Sequence, residues 1–549
     1  MSFSERPDEE DREQAVDSQV EQLDSSLDAP IASEFEGSMI RGRFAMLVVL
    51  AMVIVADFTL YHAQGFMGPA VFLAAAATLL CIGIPRPSLS ICTLLVAALL
   101  AVLAVRLGWN GSGLQVAAGL WLLNALAVSL RGHLPFVLET LVFAAQCIPG
   151  GYNFYSRINS GIRRRVLDPV DSGKPIRFMD VGLPLVSVVL FGGVFVMANP
   201  DLVSWMSGTM GSIVDAIRSF LFQFSLFEVA FWMVVAWLTG GLLRPLVSPL
   251  VETLVGHDSN RQNFETPLYS AFRNTLLTVI GLFGVYLLFE SRAFVSRTPP
   301  AGFTYSSYAH EGAAWLTLAL GMATVTLSMI FRGLTLADPR VGKLQRLAWI
   351  WSGLNFLLAM AVYNRMLIYI NYNGMTRMRT VALLGITSVV VGFALVLLKI
   401  QWKQTFPWLV RRQLWVVSFA AYLYVVLPVD VLIHTYNVRQ ILSGNVAPIV
   451  QVTEHPIDDE ALPVLVPLCQ AEDRLISEGV KGLLTNRFGS IEDTLAENEA
   501  LGWTAWQLGR NRCHESLKAV QKNWDTHRSS QDATTAWEQL ENYAFQNWW

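Results

Sequence analysis

Three arginines, Arg365, Arg377 and Arg379, fall within one short stretch, RMLIYINYNGMTRMR, beside Tyr369 and Tyr372. A guanidinium presents a planar fork of donors that meets a carboxylate or a phosphate through two parallel hydrogen bonds. The chemistry open to this stretch is therefore anion recognition. On a helix, Arg365, Tyr369 and Tyr372 share one face, at i, i+4 and i+7. Gly374 is placed to end that helix, and Thr376 suits the N-cap of the next. The acceptors within reach are Glu311, Asp430 and phospholipid phosphate. With Tyr305 and Tyr308 of the segment YSSYAHEG, these residues form a candidate anion-binding or structural network. Three uses stay open: locking helices together, holding an anionic lipid, glycan precursor or solute, and fastening the C-terminal region.

Other polar residues stand inside apolar runs, where a charged group is expensive and faces protein or water. Arg273 with Asn274 is the candidate for an internal polar path. Asp57 and Glu228 lie near the ends of their runs, within reach of headgroups. Cys469 and Cys513 sit in the polar C-terminal part and would be able to pair in an oxidising compartment. Walker loops, dinucleotide glycine patterns, HExxH, nucleophile elbows and paired Cys/His spacings are missing, so no catalytic residue, metal or cofactor is expected.

These residues must be positioned by membrane helices. The chain is 53% hydrophobic and 15% charged, against about 25% charged for a soluble protein. Its net charge of −4 argues against nucleic acid as a partner. A span needs about 20 apolar residues to cross a core of about 30 Å. Candidates run at 44–62, 66–84, 88–106, 113–131, 180–199, 226–244, 268–290, 312–332, 346–364, 379–399 and 411–430. The fold class expected is thus all-α, a polytopic bundle of about eleven spans with a small C-terminal helical domain. Residues 134–149 are too short to span and read as a re-entrant or interfacial helix. Residues 202–222 read as an interfacial helix.

Loop charge gives the orientation. Basic clusters such as Arg163–Arg165 and Arg411–Arg412 fall on alternate loops, which places the N-terminus in the cytoplasm and the C-terminus outside. The arginines of 365–379 break this rule. The chain divides into a disordered acidic tail (1–40), spans one to six with a basic loop at 132–179 (41–265), spans seven to eleven (266–430) and a C-terminal helical domain (431–549). Helical patterns appear there at 460–484 and 490–528. The acidic start shows no cleavable signal peptide.

The segments YSSYAHEG, RMLIYINYNGMTRMR and VDVLIHTYNVRQ, the last with Asn437 and Arg439, resemble a family of bacterial multi-pass membrane proteins grouped under a domain of unknown function, of the DUF4153/DUF4173 kind. The first segment departs from that pattern at His310–Glu311 and Ala313. The resemblance implies a multi-pass inner-membrane architecture and no particular substrate or reaction. The expected function is a non-enzymatic envelope protein that anchors or senses through an outer domain. Its partners would be the lipid bilayer and an anionic lipid or an envelope protein. The alternatives are a transporter or flippase of an anionic solute or lipid, and a membrane-embedded transferase acting on a lipid-linked substrate.

Overall fold

A computed structural model describes residues 44–167, 225–244, 268–295, 305–331, 335, 338–402, 404–527 and 529–548. Among these the regular structure is helical. Six helices are long and apolar enough to cross a membrane: α1 (Phe44–Tyr61), α3 (Ile91–Trp109), α7 (Tyr269–Val295, apolar to Phe289), α9 (Val341–Asn373), α10 (Arg377–Gln401) and α11 (Phe406–Val426). Four apolar helices have shorter apolar segments: α2 (Met67–Gly83), α4 (Gly113–Ser129), α6 (Leu226–Leu243) and α8 (Tyr305–Ile330). The expected span at 180–199 and the expected interfacial helix at 202–222 lie outside the described residues, as does the acidic tail.

Two expectations are corrected. Residues 134–149 do not form a short helix. They begin α5 (Val137–Leu167), which runs through Pro149 into the segment read as a basic loop. Packing against α6 overrides the local break. The Tyr155 hydroxyl donates to the Ala236 carbonyl and the Trp237 indole to the Ile148 carbonyl, at 2.9 and 2.8 Å. The last expected span, 411–430, begins earlier and stops at Val426, because Pro428 cannot continue a helix and disfavours a helical residue before it. A separate helix, α12 (Val429–Leu442), follows.

Apolar packing falls into groups that follow the chain. One core joins α1 to α6. Two adjoining cores join α7 to α11. Large apolar side chains face outward on these helices, among them Val105, Leu288, Met329 and Met360, as lipid-facing surfaces would. A further core joins α12, α13 (Ile449–Thr453), a 3₁₀ segment (Asp459–Gln470), α14 (Arg474–Leu501), α15 (Leu508–Ala519) and α16 (Ser530–Trp548). The two helical patterns expected here are redrawn. Pro463 and Pro467 keep 459–470 in 3₁₀ form, and Asp473 caps α14, which then runs without a break to Leu501.

Some helix ends are fastened by cations. The buried Lys399 ammonium of α10 donates to the Phe331 and Ser328 carbonyls at the end of α8, at 3.1 and 3.4 Å. Arg411 pairs with Glu139 at 2.6 Å. Arg131 donates to the Leu242 carbonyl at the end of α6. A cation at a helix C-terminus meets both unpaired carbonyls and the negative end of the dipole. The α9 helix has 33 residues and is about 50 Å long at about 1.5 Å per residue, so it outruns a bilayer core of about 30 Å.

Candidate functional site

The junction between α9 and α10 is built on a glycine. Gly374 has φ +82° and ψ −177°, a region in which residues with a Cβ are strained. A Cβ there would also lie 2.8 Å from the Asn437 side-chain oxygen and from Pro448. The Thr376 hydroxyl accepts from the Arg379 N–H at 3.2 Å and opens α10. Buried Arg379 turns back, donating to the carbonyls of Asn373 and Gly374. Its guanidinium lies over the Tyr369 ring, 4.1 Å from the centroid. Arg379 thus closes the C-terminus of α9.

Arg377 points to the C-terminal region. Its Nε donates to Asp430 Oδ1 at 2.7 Å and its Nη2 to Asp430 Oδ2, a bidentate pair, and Nη2 also reaches Asp458 Oδ1 at 3.1 Å. Asp430 is buried and accepts the Asp458 N–H at 2.9 Å. Burial acts to raise the Asp430 carboxyl, but the Arg377 and Asp458 hydrogen bonds hold it below the ordinary carboxylate value. Burial and the Asp430 charge push Asp458 upward. Asn437, fully buried, pairs with both backbone groups of Met375: its Oδ1 accepts at 2.6 Å and its Nδ2 donates at 2.9 Å. Tyr436 donates to the Asn371 side chain and Asn445 to the Asn371 carbonyl. One turn from Asp430, His434 is buried among Asp430, Arg377 and His455, and burial pushes its imidazole down to about 4.

The structure therefore brings together Tyr369, Thr376, Arg377, Arg379 and Asp430. Arg365 turns instead to α7, where its Nη2 donates to the Tyr286 hydroxyl at 3.4 Å, and Tyr372 is exposed. Tyr305, Tyr308 and Glu311 belong to the first turns of α8, and their side chains lie outside the described residues. Arg273 and Asn274 are on the exposed face of α7, paired with each other at 3.2 Å. Cys469 and Cys513 are free. The pairing open to them in an oxidising compartment is not formed. Each thiol is buried in the C-terminal core, and burial raises them to about 11 and about 12.

A second clamp was not anticipated from sequence. Arg106, in the last turn of α3, holds Glu460 by both guanidinium nitrogens, and both side chains are largely buried. Around it the Gln64 N–H donates to the Thr504 hydroxyl and the Gly111 N–H to the Gln507 side chain, at 3.2 and 2.9 Å. The available signal was Arg106 itself, an arginine at the outer end of its expected span. Also unanticipated is a cluster at the end of α1. Asp57 and Glu228, expected within reach of headgroups, converge with His62. This is the one group of His and carboxylate side chains among the described residues with metal-ligand spacing.

A family model described as Domain of unknown function (DUF4153) matches residues 45–468. A search of curated proteins and of solved structures finds no match. The chain belongs to the DUF4153 family.

Proposed function

We propose that this member of the DUF4153 family is a multi-pass membrane protein of the bacterial inner membrane whose helices hold a C-terminal helical platform at the outer face. The platform serves as an anchor or sensor for an envelope partner, without chemistry of its own. The observation that carries this reading is where the arginines of the strongest motif direct their donors. Arg377 is paired with Asp430 and Asp458, and Arg379 with backbone carbonyls. Both are used by the protein's own acceptors, which favours docking over capture of a lipid or solute anion.

The sidedness has support of its own. The C-terminal region touches the ends of α1, α3 and α9 and the starts of α4 and α10. In the orientation read from loop charge, all of these are outer ends. The test is a pair of reporter fusions at Tyr372 and Ala500. Alkaline phosphatase should be active at both sites. Activity at Tyr372 with none at Ala500 would place the platform in the cytoplasm and end this reading.

A further inference from the structure

We propose that Asp57, His62 and Glu228 form a binding site for a first-row divalent cation of the zinc type, joining the end of α1 to the start of α6. The local fold carries the first part of the argument. Residues five apart do not share a side of an α-helix, which turns every 3.6 residues or so. Residues Asp57–Tyr61 instead form a π-helical turn, closed by the His62 N–H on the Asp57 carbonyl at 3.1 Å. The widened turn brings Asp57 and His62 to one side, and Glu228, in the first turn of α6, completes the set.

The spacing suits one ion. His62 Nε2 lies 3.3 Å from Glu228 Oε1 and 3.8 Å from Asp57 Oδ2, and the three ligand atoms lie within 4.8 Å of one another. Ligands bonded to tetrahedral zinc at about 2.0–2.2 Å sit about 3.3–3.6 Å apart. The Trp232 indole N–H donates to Asp57 Oδ1 at 2.7 Å, which fixes the carboxylate with its other oxygen toward His62, as outer partners of metal ligands do. Charge points the same way. Glu228 is buried, and among the described residues His62 is the one cationic side chain within ion-pair distance of either carboxylate. Two carboxylates against at most one imidazolium leave a negative site that a divalent ion neutralises. One imidazole with two carboxylates suits zinc better than magnesium, which prefers oxygen ligands and water. Three protein ligands leave a position for water.

The full-length protein in detergent or nanodiscs, stripped with a chelator, is titrated with Zn²⁺ against a chromophoric competitor. One tight equivalent is expected, at least tenfold tighter than Mg²⁺. His62→Ala and Glu228→Gln should each weaken it at least tenfold. Co²⁺ should give the intense visible bands of a four- or five-coordinate site in the wild type and not in His62→Ala. His62 is half-exposed, so His62→Ala keeps the fold and decides the matter even if Glu228→Gln does not fold. Zinc binding that His62→Ala leaves unchanged, or a wild type with no saturable site, overturns the proposal.

Discussion

The α9–α10 junction and the Asp57–His62–Glu228 cluster both set charged side chains at helix ends, and they balance charge in opposite ways. At the junction each arginine meets acceptors from its own protein: Arg377 the carboxylates of Asp430 and Asp458, Arg379 two carbonyls. At the cluster two carboxylates share one histidine. Matched charge reads as fastening, because removing one partner strands the other in a low-dielectric place. Unmatched charge reads as a site for something the chain itself does not supply. The contrast also inverts the impression given by the sequence, in which the arginine-rich stretch is conspicuous and the cluster is divided between Asp57–His62 and the distant Glu228.

Substitutions at the two regions should differ in their cost. The largest effect is expected from Arg377→Ala, which leaves the buried Asp430 carboxylate with backbone help alone. Loss of a partner from a fully buried pair costs about 3–5 kcal/mol. Arg377 is 39% exposed, so the expected loss is smaller, about 2–3 kcal/mol, read as a lower thermal midpoint. Asn437→Ala removes both hydrogen bonds to Met375 and should cost about 2 kcal/mol.

The pH dependence of the junction comes next. The unfolded His434 takes up a proton near 6.5, while the folded one resists until about 4. The unfolded state therefore binds more protons in that window, and stability is lost as pH falls through it and is fully present above it. His434→Leu should flatten the midpoint between pH 6.5 and 4. Asp57→Asn should behave unlike Arg377→Ala. In metal-free protein it relieves carboxylate repulsion and should change stability by less than about 1 kcal/mol. The smallest effect is at the thiols: Cys469 and Cys513 should resist alkylation in the folded protein and show no mobility difference with and without reductant.

Much of this architecture was legible from residue types. Apolar runs placed ten of the expected spans on helices, and Gly374 and Thr376 marked the break between α9 and α10 through backbone freedom and capping chemistry, which are local properties. The pairing of Arg377 with Asp430 was also within reach, because few acidic residues stand near the ends of the spans. What stayed hidden depends on distance along the chain. The π-helical turn at Asp57–Tyr61 leaves no signature in the residue pattern, and without it His62 does not face Asp57. Arg106 and Glu460 are separated by most of the chain. The long α5 departs from the expected short helix because the apolar run ends at residue 149, whereas contacts with α6 hold the helix together beyond it.

Two arginine clamps, Arg377 on Asp430 and Arg106 on Glu460, join a separately cored C-terminal region to the apolar helices. Hydrogen exchange on the full-length protein in nanodiscs, comparing wild type with the Arg106→Ala, Arg377→Ala double variant, tests this attachment most directly. Exchange in α12 and residues 459–470 should be at least tenfold faster in the double variant, with α14 and α16 still protected by their own core. Unchanged exchange at α12 and 459–470 in the double variant would contradict it.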